Sequence, residues 1–474
     1  MSAFPPGPTE APAIQTARWL LRPIAFMESC RRRYGDAFSV RFIGFERPMV
    51  MLSDPEAIRA LYTAHEHGLP PGRSIALLPV MGPGSVLLLE GQEHLARRKL
   101  MLPPFHGERM RAYETTVREV TERELGSWSG SSAADRGSAD SAASASGERP
   151  FALHPRMQAI TLEVILKAVF GVTDPARDAR LHERLPLMLG DTASPVLQFR
   201  VLLSRRLGRG DPLAGLRELL VEIDELLLAE IAERRADPAA AERGDILSLL
   251  VAARFEDGAE MSDREVRDQL ITLLLAGHET TATALAWTFD LLLRNPATLA
   301  RLTAEVDAGE EDSYLRAVIS ESLRLRPVVP LAGRRLASEL NVAGLSLPAG
   351  TDVTPAIWLT HTRPDLYPEP YAFRPERFLE GEGGHPINKY GWIPFGGGIR
   401  RCLGAAFAEM EMRVVLETVL RRRQLSAGGG KAERVTRRNV TFSPRHGTLV
   451  RSRPRAAGGP STGTEPERTP ALVA

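Results

Sequence analysis

Residues 392–404 read Trp392-Ile393-Pro394-Phe395-Gly396-Gly397-Gly398-Ile399-Arg400-Arg401-Cys402-Leu403-Gly404. Three successive glycines let the backbone turn tightly around the thiol. The run that follows, Ala405 to Arg423, reads as a helix, so Cys402 is expected at or just before a helix N-terminus. Free N–H groups and the helix dipole favour a thiolate there, and Arg400 and Arg401 add positive charge. A cysteine so placed suits reactivity or metal ligation; the alternative is a buried structural cysteine.

The other cysteine, Cys30, precedes Arg31-Arg32-Arg33 in an amphipathic segment without a supporting motif and reads as a spectator. Two cysteines this far apart fit a reducing compartment better than a disulfide framework. They offer neither the Cys-x-x-Cys pair of a zinc site nor the Cys-x-x-Cys-His motif of covalent haem. A lone protein thiolate on a haem iron is a known arrangement, in which sulfur pushes electron density toward iron and favours O–O cleavage. The pattern Phe-x-x-Gly-x-Arg-x-Cys-x-Gly, filled by Phe395, Gly398, Arg400, Cys402 and Gly404, resembles the haem-binding loop of the cytochrome P450 family.

Further motifs stand upstream in that family's order. Ser262 followed by Glu265 is a capping box, and Asn295-Pro296 is a stop, so the spacing predicts a helix from Asp263 to Arg294. At roughly 1.5 Å per residue it would be nearly 50 Å long. Apolar residues surround most of it, which predicts a buried central helix. Its middle, Ala276-Gly277-His278-Glu279-Thr280-Thr281, breaks that character. Gly277 weakens the helix, and the Thr280 hydroxyl can bond a carbonyl one turn earlier and bend it. Gly277, Thr280, Thr281 and Ala284 share a face with Leu273 and Leu274, against which a flat ligand could lie. Glu279 beside Thr280 supplies an ionisable group and a hydroxyl, the parts of a proton relay; a capped kink with a surface glutamate is the alternative. The segment resembles the P450 oxygen-activation segment, which implies Glu279 and Thr280 as its acid and alcohol, with Ala276 and Gly277 beside the haem.

Glu321-Ser322-Leu323-Arg324 is similar to the family's Glu-x-x-Arg motif, and Pro375-Glu376-Arg377-Phe378 to the segment whose arginine joins that ion pair. Spacing alone would allow an exposed i,i+3 pair on the amphipathic helix Ser313 to Leu325. The resemblance implies instead a buried Glu321, Arg324 and Arg377 network around the cysteine loop. His94 and Arg98, four apart on one helical face, could bind two carboxylates or belong to a solvated basic face with Arg97 and Lys99. The resemblance implies the first, with His94 and Arg98 on the haem propionates and Arg400 as a third partner. Arg335 is assigned a further propionate-side role in competition with its neighbour Arg334.

The 474 residues are 43% hydrophobic and 25% charged, enough for a sizeable core. Sixty basic against 59 acidic residues give a formal net charge of +1, so no global field favours nucleic acid, membrane or an acidic partner. The apolar stretch from Trp19 to Met27, interrupted by Arg22 and Pro23, cannot span a bilayer and lacks the form of a secretory signal. A cytoplasmic location without an integral membrane anchor is expected. Ala37 to Ile43 and Pro48 to Leu52 predict a hairpin around Gly44, and Ser53 with Glu56 a capping box opening a short helix.

The expected fold class is mainly α with small β-sheets, a cytochrome P450 fold with a long central helix and a Gly-rich cysteine loop. Expected boundaries are a Pro-rich lead-in at 1–33, one P450 domain at 34–450 and a disordered tail at 451–474. The Ser/Ala/Gly-rich segment 126–147 is expected to be a flexible loop insertion.

The resemblance implies a haem-thiolate monooxygenase binding haem b non-covalently through Cys402. Its electrons would come from a separate ferredoxin or flavodoxin with an NAD(P)H-dependent reductase. Arg97, Lys99, Arg401 and Arg421 to Arg423 are candidates for the docking patch. A monomer is expected, acting on a hydrophobic small molecule, a fatty acid or terpenoid, by hydroxylation or epoxidation. The apolar regions Leu69 to Leu89 and Leu185 to Leu207 would line or cover the pocket, with His278, Val329, Leu331 and Phe442 as weaker contacts. Two other readings stand beside this: a peroxide-using or isomerising haem-thiolate enzyme, against which the Glu279–Thr280 pair argues, and a haem-dependent small-molecule binder or sensor.

Overall fold

Ser262 accepts the Glu265 N–H while the Glu265 carboxylate takes the Ser262 N–H at 2.8 Å, and this reciprocal cap starts the longest helix at Asp263. It ends at Arg294, before Asn295-Pro296, as the spacing predicts. The structure, a computed structural model, describes residues 4–64, 78–105, 107, 109–128, 149–193, 214–381, 388–438 and 440–455. Most of the expected insertion, the tail beyond Arg455 and parts of the two apolar pocket regions lie outside these residues.

In chain order the helices are α1 (Pro12–Leu21), α2 (Pro23–Tyr34), α3 (Pro55–Thr63), α4 (Leu78–Met81), α5 (Gly91–Met101), α6 (Arg109–Ser127), α7 (Leu153–Ile165) and α8 (Pro175–Ala193). They continue as α9 (Ala214–Ala236), α10 (Ile246–Ala252), α11 (Asp263–Arg294), α12 (Pro296–Ala308), α13 (Ser313–Leu325), α14 (Ile357–His361) and α15 (Ala405–Arg422). Helix α11 is buried along most of its length, with α7 packed along one side and α15 and α13 on others.

The strands are few and short. The predicted hairpin forms from β1 (Ala37–Val40) and β2 (Met49–Leu52), paired Ala37 to Leu52. Two later strands, β4 (Arg334–Arg335) and β7 (Asp352–Pro355), complete a sheet of order β1-β2-β7-β4, in which β2 and β7 run parallel. Between these two, β5 (Leu340–Val342) and β6 (Leu345–Leu347) pair as a hairpin. A second sheet joins β3 (Phe151–Ala152), β11 (Leu449–Pro454) and β8 (Arg423–Ala427), and β9 (Val435–Arg438) pairs with β10 (Thr441–Pro444).

Local expectations are corrected in four places. Asp54, not Ser53, caps α3, its Oδ2 taking the Ala57 N–H at 2.8 Å, because Pro55 fits the first helical position and moves the cap next to itself. The Ser53 hydroxyl bonds Asp36 instead. The lead-in folds as α1 and α2, whose Trp19, Phe26, Met27 and Cys30 build a core cluster with Phe38, Val40 and Phe442. The expected tail starts late: β11 continues to Pro454, and Arg455 pairs with Asp307 at 2.7 Å. Gly126 and Ser127, given to the loop insertion, close α6, and Trp128 is buried against Phe151.

Candidate active site

The cysteine loop is built by its glycines. Gly396 and Gly398 have φ of +68° and +65°, which a side chain would strain. A Cβ on Gly397 would stand 2.5 Å from the Tyr62 ring, and one on Gly398 2.8 Å from the Tyr62 carbonyl, so α3 packs directly on this backbone. The turn closes where the Cys402 N–H donates to the Phe395 carbonyl (2.9 Å) and the Arg401 N–H to Gly398 (3.1 Å). Gly404 caps α15, and a Cβ there would project into open space beside the cysteine.

Behind the loop stands the network that the Glu-x-x-Arg motif implies. Arg324 grips Glu321 through Nε (2.6 Å) and Nη2 (2.8 Å), and both side chains are fully buried. Arg377 Nε lies 3.4 Å from the same carboxylate, which also takes the Arg374 N–H at 2.9 Å. Arg324 Nη1 donates to the carbonyls of His361 and Pro370, both at 2.7 Å. His361 then reaches the loop: its Nε2 accepts the Ile393 N–H at 2.9 Å, which leaves Nδ1 to donate to the Arg324 carbonyl at 3.1 Å. Burial pushes this imidazole down to about 3, so the tautomer is held neutral. The Trp392 indole N–H adds a bond to Ser320 at 3.2 Å. His361 was not among the predicted residues, because no spacing in the sequence ties it to Glu321 or the loop.

Cys402 is accessible to solvent, yet surrounding protein desolvates it, so it lies in the wall of a recess. Burial raises its thiol, opposed by the Gly404 N–H and by Arg401 and Arg98. The expected bias toward thiolate from the protein alone is thus outweighed; a bound metal deprotonates a coordinating thiol outright.

The middle of α11 also opens. Leu273, Ala276, Gly277 and Thr280, at i, i+3, i+4 and i+7, are at least partly accessible, as are Leu275 and Glu279 beside them. Thr280 Oγ1 donates to the Ala276 carbonyl at 2.6 Å, as its position predicts. Gly277 and His278 both meet α7. A Cβ on Gly277 would meet Ile165 Cδ1 at 3.2 Å, so this glycine serves the close approach of α7. His278 bonds Thr161 (3.0 Å) and is buried rather than pocket-facing. Phe442 is core, near Trp19.

Glu279 turns toward α7. Gln158 Nε2 donates to its Oε2 at 2.6 Å, Thr283 Oγ1 to its Oε1 at 3.4 Å, and His154 Nε2 stands 3.6 Å from Oε1. Burial raises the carboxyl above its ordinary range, opposed by the Gln158 hydrogen bond and the Arg438 charge. His154 is pushed down to about 3, chiefly by burial, and stays neutral. Across α11, Glu411 of α15 is buried, its Oε1 without a partner; burial pushes it up to about 8 against a hydrogen bond from Thr281.

On the other side of Cys402 four basic residues converge. His94 is buried and pushed down to about 4, by burial first and then by Arg400, Arg98 and Arg334. Arg400 is lowered to about 10 by burial and by Arg334 and Arg98, while its Nη2 donates to the Leu89 carbonyl at 2.6 Å. Arg98 makes no hydrogen bond or ion pair among the described residues, and His94 Nδ1 and the Tyr62 hydroxyl are buried without partners. Of the adjacent Arg334 and Arg335, it is Arg334 that faces this cluster. The Arg335 guanidinium is held by Asp352 in a two-point pair at 3.0 Å and is 39% exposed, whereas Arg334 is 8% exposed and meets no carboxylate among the described residues. Cations crowded together out of water call for anions, and this cluster beside a cysteine fits a metal macrocycle that carries two carboxylates.

The residues expected to form the docking patch divide into buried and exposed ones. Arg97 is buried against Glu265, Lys99 pairs with Glu256 at 2.5 Å, Arg421 with Glu417 at 3.1 Å and Arg422 with Glu122 at 2.6 Å. Arg423 is buried and donates to the Leu125 carbonyl. Lys99, Arg421 and Arg422 nevertheless stay exposed, as does Arg401.

A family model described as Cytochrome P450 matches residues 5–449. The chain is 41% identical over 458 residues to the protein named cytochrome P450 135B1 of Mycobacterium tuberculosis, covering 95% of this chain and 91% of that one. It is 40% identical over 424 residues to cytochrome P450 137 of the same species, covering 89% and 84%. Among solved structures it is similar to a retinoic-acid-bound cyanobacterial CYP120A1, with a TM-score of 0.77, 24% identity and 95% and 99% coverage. The haem domain of cytochrome P450DA gives a TM-score of 0.78 at 22% identity, with 95% and 97% coverage.

Proposed function

The chain belongs to the cytochrome P450 family of haem-thiolate monooxygenases, and we propose that it oxygenates a fatty acid or terpenoid with protons passed through Glu279 and Thr280. In this reading Cys402 would ligate the haem iron through its thiolate, and His94, Arg98, Arg334 and Arg400 would hold the two propionates. The haem, when bound, supplies dioxygen activation, and sulfur ligation favours O–O cleavage.

One observation carries the proton assignment. Glu279 and Thr280 stand at successive positions where α11 opens, the carboxyl turned inward and the hydroxyl on the accessible stripe. Glu279, raised by burial, keeps its proton to higher pH than an exposed carboxyl and so is suited to act as an acid. Thr280, while donating to Ala276, retains lone pairs that can accept a proton-bearing group. Gln158 and Thr283 hold Glu279 in place, and neutral His154 leaves its charge uncompensated at close range.

Leu273 and Ala276 on the open stripe support an apolar substrate. Electrons are assigned to a separate ferredoxin or flavodoxin with its NAD(P)H-dependent reductase, and the exposed Arg401, Lys99, Arg421 and Arg422 are the candidates from the expected patch. The described residues act as one catalytic unit, a cytoplasmic monomer. No described helix is long and apolar enough to cross a membrane.

The test is Glu279→Gln with a surrogate ferredoxin and reductase. Product formed per electron should fall by at least about a hundredfold, the lower range for a positioned acid, with reductant diverted to peroxide. Unchanged product per electron would remove Glu279 from the relay. Absence of a substrate-induced spin-state shift with every long-chain fatty acid and terpenoid tried would reject the substrate class.

A further inference from the structure

Helix α1 turns an apolar side away from the protein. Gln15 and Trp19 are buried, whereas Ala13, Ile14, Ala17, Leu20 and Leu21 are all exposed. Their spacing, i, i+1, i+4, i+7 and i+8, makes one continuous stripe along the helix. Ile14 and Leu20 are 51% exposed and Leu21 80%. Ile43, 61% exposed, extends the stripe onto the end of the β1–β2 hairpin. Its N–H donates to Thr16 Oγ1 (2.9 Å), and the Arg41 N–H donates to Gln15 Oε1 (2.8 Å), so hairpin and helix are tied side by side.

Two cations at the edge of the stripe are unmatched, although Glu10 and Glu46 are also exposed nearby. Arg22, which follows Leu21, and Arg41, beside Ile43, are exposed and meet no carboxylate among the described residues. Arg18, on the same helix, is by contrast satisfied by Glu10 at 2.7 Å. A solvent-facing apolar stripe rimmed by unpaired cations matches an interface with apolar interior and anionic rim.

We propose that this face docks on an anionic phospholipid surface, with Ile14, Leu20, Leu21 and Ile43 entering the headgroup boundary and Arg22 and Arg41 meeting lipid phosphates. A ten-residue helix is about 15 Å long and about 10 Å across, a footprint well below the roughly 800 Å² that each partner buries in a stable protein complex. A fluid bilayer needs no such area or shape match; two arginines near an anionic surface add appreciably to a shallow apolar insertion. The docking is peripheral and independent of the chemistry at Cys402.

The test is co-sedimentation of the purified full-length holoenzyme with phosphatidylcholine vesicles, with and without phosphatidylglycerol. Binding should be at least about tenfold stronger with phosphatidylglycerol and should weaken with salt. The Leu20→Glu/Leu21→Glu variant should lose it, and Arg22→Glu/Arg41→Glu should lose the phosphatidylglycerol preference, both with unchanged thermal midpoints because all four side chains are exposed. Failure of the wild type to sediment with either vesicle overturns the proposal, as does Leu20→Glu/Leu21→Glu binding like wild type. So does a wild-type dimer in solution that Leu20→Glu/Leu21→Glu converts to monomer, which would assign the stripe to a second copy.

Discussion

Arg334 and Arg335 are adjacent and chemically identical, and the two-residue period of β4 sends them to opposite faces. Arg335 finds Asp352 at the surface; Arg334 is carried into the basic cluster with His94 and Arg400. Arg334→Ala should therefore raise the fraction of haem lost on dilution by roughly tenfold, the cost of one charge-assisted hydrogen bond. Arg335→Ala should keep wild-type haem retention and lose about 1 kcal/mol or less of stability, as expected for a partly exposed pair. Haem content per polypeptide after gel filtration reads both, and equal losses would return the two arginines to equivalence. Cys402 is tested at the same scale. Cys402→Ala should abolish the red-shifted absorption of the reduced carbon monoxide complex, and retention of that band would remove the thiolate.

At the scale of elements, the segment after α4 is fastened to the first turns of α11. The Gly84 N–H donates to Asp268 Oδ2 (2.9 Å), the Val86 N–H to Gln269 Oε1 (3.0 Å), and Thr272 Oγ1 to Ser85 Oγ (2.7 Å). Gly82 makes this possible: its φ is +80°, and a Cβ would stand 2.1 Å from Asp268 Oδ1. Gly82→Ala should cost about 1–3 kcal/mol, from backbone strain together with displacement of the Asp268 carboxylate. Gly84→Ala, with ordinary φ and its nearest atom at 3.0 Å, should cost less. Denaturant midpoints measure the order, and equal costs would mean that the loop is not held against α11. The same fastening explains why Arg97 failed as a docking residue. It lies under this loop, donating to the Gly84 carbonyl as well as to Glu265, where no partner protein reaches it.

For the whole molecule, buried ionisable groups set opposing limits on stability. His154, His278 and His361 are pushed down by burial to about 3, 4 and 3. An unfolded imidazole titrates near about 6.5, so below that pH the unfolded chain takes up protons that the folded one refuses, and stability falls with acidification. Glu411 acts in the other direction: folded, it keeps its proton to about 8, whereas unfolded it releases it near about 4.3, so stability falls as pH rises toward 8. His182, raised to about 9 by the Glu163 hydrogen bond, also loses its contribution as pH rises from about 6.5 to 9. The thermal midpoint should therefore peak near about pH 6.5 and decline on both sides. Glu411→Gln should flatten the alkaline limb up to pH 8, leaving the slope that belongs to His182. An unchanged limb would mean that Glu411 is charged in the fold.

The sequence by itself determined the long helix to the residue, the hairpin β1–β2, the helix Ser313–Leu325 and the cysteine loop with its family. Each depends on neighbours within a few positions: a capping box, a proline stop, a period of two or 3.6, a run of glycines. Tertiary structure decided which way side chains of known identity face. Gly277 admits α7; Arg334 rather than Arg335 faces the basic cluster; Lys99, Arg421 and Arg422 pair with Glu256, Glu417 and Glu122, and Arg423 is buried on the Leu125 carbonyl. His361, Tyr62, Gln158 and Glu411 carried no local signal, because their roles come from partners tens to hundreds of residues away. Chain entropy makes such contacts costly unless many form together, and only the assembled core around α11 brings them within hydrogen-bond reach of Cys402's loop and of Glu279.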